Sequence, residues 1–402
     1  MHAILKISSL ILIFAATAAL FPGCTKKELT TDPVKDGTSA TRQELLAGVD
    51  VTSQATLYVS TENDQGAGSA EGSPKLVDGN PDTKFLAEHT SAFYVQMSFP
   101  QPTQVAAYAI TSGNDFDVRD PRNWTVTASN DNVSWVVLDR RVMEDFQSRK
   151  TVKRYDFINA NAYRYYRWSI TATHWDHLLQ MSELRLFTVP VGSQTQSPPT
   201  KIDTFQQNNL TLVFIDNTPG GMNVQQKQGL INVFFTNYPK LMTDFNPNAA
   251  REVHFKVATD YDGVAFANAG HAFVYYGATY MSQHTSDIDV ATHEITHIIE
   301  NYQTGPGWVT EGIADYVRHV YGLNNAAAGW ALTPPNSNSH YTKGYGDAAR
   351  FFLWMEHHVK AGIVKKLHTA MHTSVYTPQF WVNETGKNVD QLWADYVSNP
   401  NI

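Results

Sequence analysis

The stretch ATHEITHIIENYQTGPGWVTEGIADYVRHVYG, Ala291–Gly322, decides how the C-terminal half of this chain is to be read. His293 and His297 stand four residues apart. On a helix that spacing puts both imidazoles on one face, one turn from each other. Two neutral imidazoles so placed hold one zinc ion. Glu294 lies beside the same face and is the candidate general base toward a water that the metal activates. Catalytic zinc needs a third protein ligand and one open position. Glu311, fourteen residues past His297, offers that ligand. Between them Gly305-Pro306-Gly307 breaks the helix, so a second helix folds back beside the first. Asp315, one turn beyond Glu311, is placed to accept the outer ring N–H of a ligand histidine and fix its tautomer. Gly312 is expected to let the two helices approach closely. The bland reading, two amphipathic helices with solvated carboxylates, gives no reason for all of these positions to coincide.

The surrounding residues fit an α+β domain from about 204 to 402. NLTLVFIDN, EVHFKVATD and HAFVYYGATYMSQH read as strands. VQQKQGLINVFFTNYPKLM reads as a helix, with Leu230, Ile231, Phe234, Tyr238 and Leu241 at helical spacing. Four further helical patterns follow, in DIDVATHEITHIIENY, GWVTEGIADYVRHVYG, GYGDAARFFLWMEHHVK and NVDQLWADYV. The H-E-x-x-H pattern followed by W-x-x-E-G-x-A-D-Y (Trp308–Tyr316) resembles the glutamate-ligand branch of the zincin metallopeptidases. More narrowly, Thr204–Asn399 resembles the basic secretory protein family of plant and bacterial peptidases, through ATYMSQH, EGIADYVR, KGYGDAARFFLWME and VDQLWADY. That resemblance implies zinc-dependent peptide hydrolysis, with His293, His297 and Glu311 on the metal and Glu294 as base. It makes Tyr345, in KGYGDAARF, the first candidate for the oxyanion donor, and Tyr341 the second. It also implies that the strand before the metal helix, AFVYYGATYM, pairs with an extended substrate. The family's basic character does not carry over to this acidic chain. His368 and His372 are also four apart, but no glutamate occupies the base position, and they read as surface residues.

Upstream, from 48 to 188, the pattern changes to short alternating runs. FYVQMSF, VAAYAIT, NWTVTASN, VSWVVLD and YRYYRWSIT are separated by turn clusters such as DGNPDT and SNDN. This is the pattern of an all-β sandwich or barrel. KLVDGNPDTKFLA, the run from Ala107 to Asp139, and YRYYRWSITATHWDHLLQMSELRLF resemble the discoidin (coagulation-factor C-type) domain, an all-β jelly-roll sandwich. The resemblance implies carbohydrate binding and a structural calcium held by Asp78, Asp82, Thr83 and Glu183. Phe85 departs from the family's usual tryptophan. Trp175, with His174 and His177, is the candidate sugar-stacking group. VPVGSQTQSPPTKID, residues 189–203, reads as the linker between the domains.

At the N-terminus, Lys6 and an apolar run from Leu10 to Phe21 precede small residues and Cys24. The run is too short to span a bilayer, so residues 1–23 read as a signal peptide. Cys24, the single cysteine of the chain, sits where lipoproteins of bacteria are lipidated, and residues 24–47 form a polar tether. One cysteine excludes an internal disulfide framework. With 30 basic and 38 acidic residues, a formal charge of −8 and no Lys/Arg run, nucleic acid is excluded as a partner. No P-loop, G-x-S-x-G or G-x-G-x-x-G segment is present. The expectation is a two-domain lipoprotein of the bacterial cell envelope, anchored at the outer membrane or cell surface. A discoidin-like sandwich holds it near a glycan or glycoprotein, and a zincin-like domain cuts polypeptide. A glycan-binding adhesin with an inert peptidase-like domain is the rival, and zinc hydrolysis of non-peptide amide bonds is a third reading.

Overall fold

A computed structural model of the chain describes residues 48–402 other than Gln147 and Asp260. Cys24, the signal peptide and the tether lie outside the described residues. No helix among the described residues is long and apolar enough to cross a membrane.

The N-terminal domain is an antiparallel sandwich. One sheet joins β1 (Val49–Asp50), β5 (Ala107–Thr111), β8 (Val152–Asp156) and β11 (Glu183–Thr188) in the order β1-β11-β5-β8. The other joins β2 (Thr56–Val59), β4 (Tyr94–Thr103), β6 (Pro121–Ser129), β7 (Val136–Arg141) and β9 (Tyr163–Thr173) in the order β2-β4-β9-β6-β7. A two-stranded ribbon of β3 (Phe85–Glu88) and β10 (Leu178–Met181) closes one end. Period-two alternation drives this arrangement. On β9, Tyr166, Trp168 and Ile170 point into the core, while Tyr165, Arg167 and Ser169 alternate outward. Inside, Trp124 Nε1 donates to Tyr108 Oη at 2.7 Å, and Tyr108 donates to Asp139 at 2.7 Å, so the buried polar tips are satisfied.

The C-terminal domain is built on a five-stranded mixed sheet of β12 (Lys201–Gln207), β13 (Leu210–Asp216), β14 (Glu252–Ala258), β15 (Ala265–Asn268) and β16 (Phe273–Gly277). The order is β12-β13-β14-β16-β15, with β13, β14 and β16 parallel and both outer strands antiparallel. Two sequence expectations change here. The sheet takes in Lys201–Asp203, which read as linker. HAFVYYGATYMSQH is a strand only as far as Gly277; Ala278–Gln283 forms helix α2, after α1 (Val224–Asp244). The remaining helices are α3 (Val290–Glu300), α4 (Gly307–Tyr321), α5 (Tyr345–His358), α6 (Ile363–His372), α7 (Gln379–Thr385) and α8 (Val389–Ser398).

The two faces of this sheet have different partners. Leu212, Phe214, Val253, Phe255, Val257, Val274 and Tyr276 pack into the helical core with α1 and α3. Ile215, Ala258, Phe273 and Tyr275 face the other way, against Met143 and Trp175 of the sandwich. Trp175 is stacked between His174 at 3.7 Å and His271 at 3.9 Å. His174 Nε2 is hydrogen-bonded to Tyr275 Oη at 3.1 Å. Lys256, fully buried, donates to Met143 O at 2.7 Å and pairs with buried Asp145 at 2.8 Å. The linker is tied down as well, since Arg141 donates to Pro198 O and Thr200 donates to Glu144. The sandwich therefore serves as the second layer of the C-terminal sheet.

Two outcomes follow from that packing. A chain beginning at Lys201 exposes the apolar back of the sheet and should self-associate in size-exclusion chromatography where the two-domain chain does not. Asp145→Ala strands a buried cation and should cost about 3 kcal/mol in denaturant unfolding, most of it recovered in Asp145→Ala/Lys256→Met.

Candidate metal centre and active-site cleft

Helix α3 is buried along its whole length, so its polar residues are held by protein and not by water. Its N-terminus is pinned by Asp289, which accepts from Thr292 Oγ1 at 3.2 Å and from the Leu323 and Asn324 amides, and by Asn237 of α1, which donates to Thr292. The helix stops at Asn301, which adopts a left-handed conformation (φ 37°), several residues before the Gly-Pro-Gly segment. Helix α4 then lies beside α3 with Glu311 and Asp315 on the side that meets the histidines, while Val309, Ile313 and Val317 are buried in the helical core.

Three donor atoms converge. His293 Nε2 lies 3.2 Å from His297 Nε2 and 3.4 Å from Glu311 Oε2, and His297 Nε2 lies 3.7 Å from the same oxygen. Tetrahedral zinc with bonds of about 2.0–2.2 Å sets its ligand atoms roughly 3.3–3.6 Å apart. The outer ring nitrogens fix the tautomers. His293 Nδ1 donates to Asp315 at 2.7 Å, and His297 Nδ1 donates to Glu300 at 2.8 Å. Both Nε2 lone pairs therefore point inward, toward each other and toward a carboxylate oxygen. Such a set is satisfied by a cation at its centre, and among the described residues these three form the one group of this kind. Glu300, buried and three residues past His297 on the same helix, is a partner the sequence reading missed. Its signal was present in HIIE, an acidic residue one turn on along the ligand face.

Glu294 is buried beside the two histidines, and its Oε2 has no hydrogen-bond partner among the described residues. Burial pushes its carboxyl up to about 7, against the pull of His293 and His297. Burial likewise pushes Glu300 up to about 7. The buried Tyr276 hydroxyl on β16, also unpartnered, is raised well above its ordinary value by burial first and Glu294 second.

A cleft of about 440 Å³ opens beside His293 and Glu294, walled by Val264, Ala265, Tyr280, Asp287, Arg318, Trp330 and Tyr345. Arg318 bonds Asp287, which also accepts from Tyr280 at 2.7 Å, and Arg318 lies 4.4 Å from the Trp330 ring. Tyr345 sits with its ring 6.2 Å from that of His293 and nearly parallel to it. Its backbone is left-handed (φ 44°), directly after Gly344 (φ 72°). A non-glycine residue there costs on the order of 1 kcal/mol, and the surrounding packing sustains it. Tyr341 is not at the site, because its hydroxyl donates to Asp390 at 2.6 Å. Gly312 serves a different contact from the one expected. A Cβ there would meet Ala348 at 2.6 Å and Phe352 at 2.8 Å, so it admits α5, the helix headed by Tyr345, and not α3. The strand expected to pair with substrate also changes. Strand β16 is flanked by β14 and β15, and the edge strand next to the cleft is β15.

The remaining candidates separate. Asp78, Thr83 and Glu183 gather at one end of the sandwich, with Thr83 Oγ1 donating to Asp78 at 2.8 Å and the Gly79 amide to Glu183 at 2.8 Å. Lys75 and Arg185 already pair with these carboxylates, and Asp82 turns outward to Lys150. Trp175 and His174 are withdrawn from sugar binding, because the domain junction covers both faces of the indole; His177 remains exposed. His368 is buried rather than at the surface, held between Tyr302 and the Phe245 carbonyl, and His372 bonds Glu300 O.

Comparison with known proteins agrees with this division. Residues 219–396 match the family model BSP, described as "Peptidase of plants and bacteria", and residues 56–184 match the F5/8 type C domain. The chain thus carries a basic secretory protein peptidase-family domain preceded by a discoidin-type domain. A peptide-N(4)-(N-acetyl-beta-glucosaminyl)asparagine amidase of Arabidopsis thaliana is 32% identical over 94 residues, which are 22% of this chain and 13% of that protein. Among solved structures, the family 32 carbohydrate-binding module of Clostridium perfringens NanJ, in complex with galactose, is 13% identical, covering 34% of this chain and 96% of that one (TM-score 0.29). The C-terminal domain of a chitobiase from Bacteroides fragilis is 16% identical, covering 37% of this chain and 100% of that one (TM-score 0.30).

The site geometry gives two expectations. Asp315→Asn and Glu300→Gln should each weaken the affinity of this site for a divalent metal, titrated as zinc in chelator competition, roughly 10- to 100-fold. The second concerns the metal-stripped protein. Glu294 and Glu300 hold their protons up to about 7 in the fold but release them near 4.5 when unfolded. Their contribution to stability is therefore complete below 4.5 and is lost as pH rises through 7. Thermal unfolding should show the stripped protein less stable at pH 8 than at pH 5, with a flatter profile in Glu294→Gln.

Proposed function

We propose that this protein is a zinc-dependent hydrolase that cuts peptide bonds in glycoproteins at the bacterial cell envelope. The observation that carries the reading is the convergence of His293 Nε2, His297 Nε2 and Glu311 Oε2, with both outer ring nitrogens tied to carboxylates. Zinc held by these three would supply Lewis-acid polarisation of the scissile carbonyl and a lowered pKa for the attacking water. Glu294, buried and with one carboxylate oxygen uncommitted, takes the proton of that water and passes it to the leaving amine. Tyr345, at the cleft wall beside His293, donates to the developing oxyanion. The edge strand β15 offers backbone hydrogen bonds to an extended peptide, which aligns the scissile bond along the cleft. The discoidin-type domain brings carbohydrate binding, a cation at Asp78, Thr83 and Glu183 belongs with it, and Cys24 supplies a lipid anchor.

A second reading has one observation in its favour. The relative from Arabidopsis is named for an amidase that acts on a sugar-bearing asparagine, and the same metal chemistry would serve a non-peptide amide bond.

The test compares the full two-domain chain with Glu294→Gln. Zinc content and hydrolysis are measured on an unglycosylated unfolded protein, a mucin-type glycoprotein and an N-glycopeptide. The expected result is equal zinc in both proteins, peptide cleavage by wild type, and a loss of roughly 10²- to 10⁴-fold in the variant. Release of glycan from the N-glycopeptide without backbone cleavage would decide for the amidase. Bound zinc with no hydrolysis of any substrate would leave a glycan-binding protein with an inert second domain. Absence of zinc would sink the metal reading.

A further inference from the structure

The sandwich carries a second feature that neither domain's chemistry explains. On the outer face of the five-stranded sheet, register places Tyr58 of β2 opposite Gln96 of β4, Gln96 opposite Arg167 of β9, and Arg167 opposite Thr127 of β6. The Arg167 guanidinium lies between two rings, 4.1 Å from Tyr94 and 4.1 Å from Trp135. Its Nε and Nη2 both donate to Gln96 Oε1, at 3.1 and 2.7 Å, and Nη2 also reaches Asn132 Oδ1 at 3.4 Å. Every one of these partners is neutral. Among the described residues no carboxylate comes within ion-pair distance of Arg167, although the chain has eight more acidic than basic residues.

This cation is held by shape and not by charge. Cation–π contacts with two rings and two hydrogen bonds to the Gln96 carbonyl hold it in place. Among the described residues nothing accepts from Nη1, which carries two N–H donors on the side of the guanidinium away from the Nε–Nη2 edge that meets Gln96. A guanidinium so presented is built to receive a planar oxyanion through short charge-assisted hydrogen bonds. Next to it, Tyr58 is 53% exposed and lies 5.9 Å from Tyr94, so aromatic surface adjoins the charge. The hydroxyls of Thr127, Ser98 and Ser169 line the same face. Aromatic surface, hydroxyl-rich surroundings and one unneutralised guanidinium together match a pyranose that bears a carboxylate. An apolar protein partner would leave Arg167 desolvated and unpaired, at a net cost.

We propose that this face, centred on Arg167 with Tyr58, Tyr94 and Trp135, is a binding site for oligosaccharides carrying a carboxylate, of the uronic or sialic acid class. The site shares no residue with the metal centre, and its failure would leave the hydrolase reading where it stands.

The test titrates the full chain calorimetrically with 3′-sialyllactose and with an oligogalacturonate, each beside its neutral counterpart, lactose or a galacto-oligosaccharide. The two anionic probes separate a glycoprotein terminus from a uronate polysaccharide as the source. The expected result is at least tenfold tighter binding of one anionic probe than of its neutral counterpart, with the preference weakened by added salt. Arg167→Met should abolish the preference. Thr127→Glu removes none of the packing and sets a carboxylate beside the guanidinium, so it should abolish the preference even if Arg167→Met proves unstable. Zinc content should be unchanged in both. Equal affinity for anionic and neutral probes, absence of binding to either anionic probe, or a preference that survives Thr127→Glu would each overturn the proposal.

Discussion

The centre of this molecule depends on two hydrogen bonds that point away from it. Asp315 and Glu300 take the outer N–H groups of His293 and His297, and so force both inner lone pairs toward Glu311. Without those two acceptors each imidazole could turn its proton inward, and the three donors would become an ordinary polar cluster. Holding four carboxylates and two imidazoles in a volume this dry is expensive, so the framework has to be rigid. That is the role of an entirely buried α3, of Asp289 and Asn237 at its start, and of the sheet beneath it.

The convergence of His293, His297 and Glu311 could be read from the sequence because it follows helical spacing, and helical spacing is local. The same holds for Glu294 and Asp315. Glu300 was equally local and was passed over because nothing in a motif marks it. What the sequence could not supply was anything settled by packing between elements. Strand β16 looked like the strand to meet a substrate, but the preceding segment Ala265–Asn268 had to be placed beside it before β15 could be seen as the edge. Gly312 was correctly read as a close-approach residue, yet only the fold says that the neighbour is Ala348. Tyr341 and Tyr345 are four residues apart, and the left-handed turn at Gly344 and Tyr345 sends one into the core and the other to the cleft.

The sandwich shows the same divide. Its alternating strands were legible residue by residue, while the fate of Trp175 was not. A tryptophan beside two histidines in a loop is a reasonable sugar platform until a second domain supplies His271 and Phe273 to cover it. Arg167 went unnoticed for the opposite reason. It lies in a strand, where an outward arginine is unremarkable, and its setting becomes visible only when Tyr94 and Trp135 arrive from other parts of the chain.

The covered back of the C-terminal sheet has a consequence for how such a chain can be inherited. Binding modules joined by loose linkers can be exchanged between enzymes like interchangeable fittings. Here the loops that carry Met143, Asp145 and Trp175 have been committed to a neighbour's hydrophobic face, and Lys256 has been committed in return. Replacing the module would leave an unpaired lysine and bare aromatic surface on the C-terminal domain. The two domains must therefore change together, substitution by substitution across the seam, and descend as one unit of selection.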